Sequence, residues 1–173
     1  MENALTLRLA RPDDVMAVDD LLARSYPRLL KADYPPSVMV GLVPLIARAR
    51  PELLVSGRYF VVEDAGGRVL GAGGYSLSAP TARGAGAGKV LNALGHIRHV
   101  ATDPDATRQG IGRRLMAAVF AAAGAEGVRH FDCLSTRTAV PFYAAMGFTV
   151  VGPVEVPITQ GMAFPAVRMR CYK

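Results

Sequence analysis

Thr107-Arg108-Gln109-Gly110-Ile111-Gly112-Arg113-Arg114 stands between a strand-like run and the most regular helical pattern in the chain. Ahead of it, His96 to Thr102 reads as a strand that Asp103-Pro104-Asp105 brings to an end. Behind it, Ile111, Leu115, Val119 and Ala122 share one face at helical spacing, which predicts a helix over 110–125 closed by Gly127. Glycines placed just before a helix let the backbone turn tightly and bring its N–H groups up to a bound anion. The first helical turn has N–H donors without intrahelical partners and carries the positive end of the dipole, so it attracts phosphate. Arg113 and Arg114 sharpen the point, because a cation in that turn is disfavoured by ~0.3–1 kcal/mol. A bound polyphosphate reverses the sign. A plain turn with solvated arginines is the other reading of these residues alone. No Gly-Lys-Ser/Thr follows, which excludes a Walker loop, and the three spaced glycines of a dinucleotide fingerprint are missing.

The flanking sequence alternates strands and helices. Leu5 to Leu9 alternates apolar and polar residues as a half-buried strand does, and Pro12-Asp13-Asp14 starts a helix carrying Val15, Val18, Leu21 and Leu22. A second helix is predicted over 38–48 despite Pro44, with Pro51 marking its end. Tyr59 to Glu63 and Val69 to Ser76 form a hairpin about the Asp64-Ala65-Gly66-Gly67 turn. Residues 79–95 hold Pro80, Gly84, Gly86, Gly88 and Gly95 and read as a mobile loop. Val128 to Leu134 is a strand, Thr138 to Met146 a short helix stopped by Gly147, and Phe148 to Val151 and Ala166 to Tyr172 are the last strands. This order predicts an α/β (α+β) layer in a single domain over 1–173, with no composition shift or internal repeat to divide it.

Composition narrows the partners. With 51% hydrophobic residues among 173, the chain can bury a real core built mainly on Ala, Val and Leu. No apolar run approaches the ~18–20 residues that cross a bilayer, and Met1-Glu2-Asn3-Ala4 lacks a signal-peptide profile. The expectation is a soluble, cytoplasmic protein with no membrane partner. Cys133 and Cys171 are too few for a disulfide framework and have no metal-ligand spacing around them, so both read as reduced, buried thiols and no metal is expected. The net charge of +6 favours anionic partners. It is spread as single or paired arginines with no run of like charges, so no nucleic-acid partner is expected.

The loop and a second segment together resemble a known family. Gly110-Ile111-Gly112 matches the second half of the pyrophosphate loop Gln/Arg-x-x-Gly-x-Gly/Ala of the GCN5-related N-acetyltransferases (GNAT), although Thr107 stands where Gln or Arg is expected. Ala139-Val140-Pro141-Phe142-Tyr143-Ala144-Ala145-Met146-Gly147-Phe148 is similar to that superfamily's helix ending in a Gly-Phe pair. The resemblance implies a mixed, mostly antiparallel sheet of about seven strands, splayed between the fourth and fifth and flanked by about four helices. It implies acetyl-coenzyme A as acyl donor, with pantetheine in the split pairing with Val100, Ala101 and Thr102. Arg108, Gln109, Gly110, Ile111, Gly112 and Arg113 would surround the pyrophosphate. Homodimers are common in the family, and no residue here decides that question.

The implied reaction is transfer of an acetyl group to a primary amine by direct attack in a ternary complex. It asks for removal of a proton from the amine, donors for the oxyanion, and a proton for the departing thiolate. Tyr143 stands where the family's helix presents a Tyr to the coenzyme sulfur and is the candidate acid, a core aromatic being its other reading. His96, fourteen residues before Gly110, matches the position of a catalytic Glu in the histone-modifying branch and is the candidate base. A regular strand turns His99 away from His96 unless a bulge intervenes, and a water chain is a third route for the proton. Asp13, Asp14, Asp19 and Asp20 either attract a cationic amine or form an exposed acidic helix face. A coenzyme A sensor without an acceptor pocket is the alternative function, and the acceptor itself is not legible.

Overall fold

The computed structural model describes residues 4–79 and 94–173. The segment read from sequence as a mobile loop lies at 80–93 outside the described residues, while Leu94 and Gly95 belong to a strand. Seven strands form one sheet: β1 (Thr6–Leu9), β2 (Tyr59–Glu63), β3 (Val69–Ser76), β4 (Leu94–Thr102), β5 (His130–Ser135), β6 (Thr149–Thr159) and β7 (Met162–Tyr172), in the order β1-β2-β3-β4-β5-β7-β6. Every neighbouring pair is antiparallel except β4 and β5. This is the mixed, mostly antiparallel seven-stranded sheet that the resemblance implied.

Two helices cover the sheet's centre. The first, α1 (Val15–Leu30), buries Val18, Leu21, Leu22 and Leu30 in a core shared with Val61, Ala72 and Ala101. Further along the chain, α5 (Ile111–Ala125) buries Ile111, Leu115, Met116 and Val119 against Phe60, Val62 and Leu70. Helices on both faces explain why β3 is buried along most of its length instead of alternating. No described helix is long and apolar enough to cross a membrane.

Between α1 and β2 the structure departs from the predicted single helix. Residues 36–54 form three short helices, α2 (Pro36–Gly41), α3 (Val43–Ile46) and α4 (Pro51–Leu54). Pro36, Pro44 and Pro51 each fall in the first turn of one of them, where a missing N–H costs nothing. Pro51 therefore starts a helix where an end was expected. The last helix, α6 (Val140–Ala145), follows the expected position closely.

The closing hairpin is longer than its sequence suggests, because Pro153, Pro157 and Pro165 interrupt the apolar pattern. The first two sit on β6, an edge strand, where a lost donor is tolerated. Pro165 lies beyond the last β5–β7 pair, Ser135 with Val167, so no β5 acceptor is left wanting. The hairpin thus runs past the end of β5 as an arm free of that strand, held instead by Tyr34, whose ring packs on Phe164 and whose hydroxyl donates to the Pro165 carbonyl at 2.8 Å.

Candidate active site

The parallel pair β4–β5 is short. Leu94 pairs with His130, Gly95 with Phe131 and His96 with Asp132, after which the strands part. From Ile97 to Thr102, β4 has no strand on its β5 side. Two cavities open at this split. One, of about 820 Å³, is walled by Ile97, Arg98 and His99 of β4, by Leu134, and by Val156 and Phe164 of the free arm. The other, of about 470 Å³, is walled by Val100, Ala101 and Thr102, by the loop before α5, and by Phe142 of α6. Tyr26 of α1 and Thr136 after β5 belong to both walls, so the cavities meet there.

A bulge divides β4 between the two. Ala101 pairs with Ala72 and Arg98 with Gly74, leaving His99 and Val100 opposite Gly73 alone. The extra residue is His99, whose φ of 48° lies in the left-handed region. Its carbonyl turns to accept a bond from the Tyr59 hydroxyl at 2.9 Å.

The loop before α5 is pinned from below by Asp103. Its carboxylate accepts Nη2 of Arg24 at 3.0 Å, Nη2 of Arg68 at 2.9 Å and the Asp105 N–H at 2.9 Å. Burial alone would raise the Asp103 pKa, but these donors outweigh it and hold the carboxyl below its usual range. Gly110, at φ 73°, supplies the left-handed residue that starts α5. The N–H groups of Gly110, Ile111, Gly112 and Arg113 donate to no acceptor among the described residues. Arg114 gives Nη1 to the Leu5 carbonyl at 3.1 Å, whereas Arg113 lines the smaller cavity. A polyphosphate fits this combination of free amides, cation and room.

Of the expected coenzyme contacts, Val100, Ala101, Thr102, Arg108, Gly110, Ile111, Gly112 and Arg113 share the wall of that one cavity. Gln109 is exposed beside them and is not part of the wall. Thr107, the departure from the family pattern, does line it.

Although its neighbour Phe142 lines the smaller cavity, Tyr143 is buried and lines neither. Its hydroxyl is a neighbour of the Cys133 thiol, with Tyr26 and Tyr59 close by. Burial raises its pKa well above the ordinary value, and Cys133 and Tyr26 add to the effect. Burial likewise pushes the Tyr26 hydroxyl and the Cys133 thiol each up to about 12. All three groups stay protonated at neutral pH.

The two histidines stand in different surroundings. His96 sits on the paired part of the sheet, with Nδ1 3.9 Å from Asp132, and lines neither cavity. Burial lowers its pKa, Asp132 opposes, and Arg98 and Arg168 lower it further. The bulge delivers His99 to the larger cavity instead. Burial, with Arg98 and Arg50 nearby, pushes His99 down to about 4, and its enclosed Nδ1 has no hydrogen-bond partner among the described residues. The acidic residues Asp13, Asp14, Asp19 and Asp20 line neither cavity. Asp14 is bound to Arg8 at 2.8 Å, Asp19 accepts the Ala49 N–H at 2.6 Å, and Asp13 and Asp20 are exposed.

Sequence reasoning missed Tyr26, Arg50, Arg98, Asp103 and Thr136. Only Asp103 carried a signal, the Asp-Pro-Asp that was read as a strand end. The others are assembled from separate elements by the fold.

Comparison with known proteins follows the geometry. The family described as acetyltransferase (GNAT) domain matches residues 55–150, more than half of the chain. No curated protein sequence matches it. Among solved structures, a GCN5-related N-acetyltransferase from Rhodopseudomonas palustris superposes with a TM-score of 0.76 at 19% identity, over 100% of this chain and 99% of that one. The PaiA N-acetyltransferase of Thermoplasma acidophilum, crystallised with coenzyme A, gives 0.70 at 13% identity over 98% and 99%. The ribosomal-protein-S18-alanine N-acetyltransferase of Escherichia coli gives 0.63 at 17% over 98% and 94%. These likenesses are of fold.

Proposed function

The chain belongs to the acetyltransferase (GNAT) family, and from that premise we propose that it transfers an acetyl group from acetyl-coenzyme A to a primary amine by direct attack in a ternary complex. One observation carries the reading: the cavity walled by the free amides at the start of α5 meets a second cavity at the split between β4 and β5. A donor and an acceptor can therefore be held on either side of one junction. Holding two reactants in register is itself a large part of such catalysis.

The residues divide the work as follows. Gly110 to Arg113, with Arg108 beside them, grip the pyrophosphate through N–H groups and positive charge. Val100, Ala101 and Thr102 present the open strand edge to the pantetheine amides. A backbone N–H of that edge serves the oxyanion. Tyr143 gives its proton to the departing thiolate.

The acidity of Tyr143 suits that step because donor and acceptor share their surroundings. A phenol raised by burial is a poor acid toward a thiolate in water. A thiolate expelled into the same apolar place is raised too, as Cys133 shows at about 12. Burial therefore shifts phenol and thiol in the same direction. His96 is left out of this scheme because it is held on the closed part of the sheet beside Asp132. Cys133 and Cys171 are buried free thiols, which supports a reducing compartment, the cytoplasm.

A thermal-shift titration with coenzyme A and acetyl-coenzyme A, followed by a thiol-release assay over an amine panel, tests the proposal. Saturation at a hundred times Kd adds about 2.7 kcal/mol of stability, or roughly 5–10 °C in Tm for a chain of this size. No stabilisation at millimolar coenzyme overturns the reading. Stabilisation without turnover of any amine identifies a sensor.

A further inference from the structure

The larger cavity has a charge pattern that a simple alkyl amine does not answer. Its wall holds two guanidiniums, Arg50 and Arg98, and a single carboxylate, Glu52. His99 adds no charge near neutral pH. Arg98 donates Nη1 to the Ser76 hydroxyl at 3.0 Å, and its remaining N–H groups have no acceptor among the described residues. No carboxylate among those residues lies within ion-pair distance of Arg98 or Arg50. The segment 80–93 contains neither Asp nor Glu that could supply one.

A half-buried guanidinium without a counter-charge is costly, and Arg is the residue whose planar fork suits a carboxylate. The lining also holds the apolar side chains of Ile46, Val156, Ile158 and Phe164. At about 820 Å³ the cavity takes a molecule of amino-acid size with room to spare. Resting on the acetyltransferase reading above, the geometry points to an amino acid with an apolar side chain as the acceptor: Arg98 and Arg50 hold its carboxylate and the free arm covers its side chain.

The amine attacks the thioester carbonyl as the free base, its ammonium proton having passed to water. The C–S bond breaks, the thiolate takes the Tyr143 proton, and the surplus proton on nitrogen returns through water to Tyr143.

Matched acceptors decide the matter: L-leucine against 3-methylbutylamine, and L-phenylalanine against 2-phenylethylamine, each assayed by thiol release from acetyl-coenzyme A. The expected result is kcat/KM at least about tenfold higher for the carboxylate-bearing member of each pair. Arg98→Gln should collapse that ratio by raising KM for the amino acid alone. Because Arg98 also holds Ser76, the exposed Arg50→Gln serves as a second variant that leaves the fold intact. A ratio near one in the unmodified protein, or a ratio indifferent to both substitutions, overturns the inference. Should neither member turn over, calorimetry of N-acetyl-L-leucine against N-(3-methylbutyl)acetamide on the coenzyme A complex gives the same comparison, and equal or absent binding overturns it. Coenzyme A stabilisation is read separately, so the loss of this inference is distinguishable from the loss of the acetyltransferase reading.

Discussion

Phe142 lies so close to Gly112 that a β-carbon at position 112 would come within 2.8 Å of its Cε2. The contact joins the two sequence motifs on which the family resemblance was built, the loop that starts α5 and the helix α6. It also sets the width of the coenzyme cavity, since both residues line it.

Gly112→Ala should therefore act through that ring. Overpacking costs about 1–3 kcal/mol, and coenzyme affinity should fall because Phe142 is driven into the cavity. Urea denaturation and calorimetric titration measure the two effects. A second substitution, Phe142→Leu, should restore most of both, which a purely local backbone effect would not allow.

Tyr143→Phe should leave coenzyme binding intact and reduce kcat by about a hundredfold or more. The ring's packing on Phe142 and Phe148 is kept by Phe, so stability should change by less than about 1 kcal/mol. Single-turnover assays beside binding titrations separate the outcomes. An unchanged kcat would assign the hydroxyl to the core alone.

Asp103→Asn tests the foundation of the loop. It removes the charge that Arg24 and Arg68 share and weakens the bond to the Asp105 N–H. Both guanidiniums are partly exposed, so the expected cost is about 1–3 kcal/mol, less than for a fully buried pair. The larger effect should be on KM for the coenzyme, because 103–110 loses its anchor. Thermal melts with and without coenzyme A measure it.

The stability of the protein should fall as pH drops from about 6.5 to about 4, through His99. Its folded pKa lies below its unfolded value of 6.5, so the unfolded chain binds more protons in that window and stability rises with pH. The full swing is about 3 kcal/mol. His99→Asn, which tolerates the left-handed backbone at φ 48°, should flatten the slope between pH 7 and pH 4.5 in denaturant titrations. His96 shifts in the same direction and sets the residual slope. Carboxylates such as Glu126, held at about 2, lose their contribution only as pH falls below about 4.5.

Much of the fold was legible because its signals are local. The glycines and arginines of 107–114 announce a helix start that handles an anion, and the periodicity of Ile111, Leu115 and Val119 settles which face is buried. The Asp64 turn declares the β2–β3 hairpin, since its Oδ1 accepts the N–H groups of Gly66 and Arg68. That Arg108 and Gly110 to Arg113 come together on one cavity wall was legible for the same reason. The prolines of 36–54 and 153–165 were misleading, because whether a proline breaks, starts or merely borders an element depends on which neighbour needs its missing donor.

Which histidine lines a cavity, and what surrounds it there, belonged to the tertiary structure. Strand alternation by itself puts His96 and His99 on opposite faces, and only the register shift of β4 across Gly73, with the Tyr59 hydroxyl on the His99 carbonyl, makes the bulge that delivers His99 to the cavity. Arg50, Arg98 and the β6–β7 arm come together from positions that no local pattern links. Sequence by itself determined the glycine-led helix start with its unpartnered amides, a property of a few consecutive backbone groups. What stands opposite that site across the split depends on register and long-range packing, which exist only once the chain has folded.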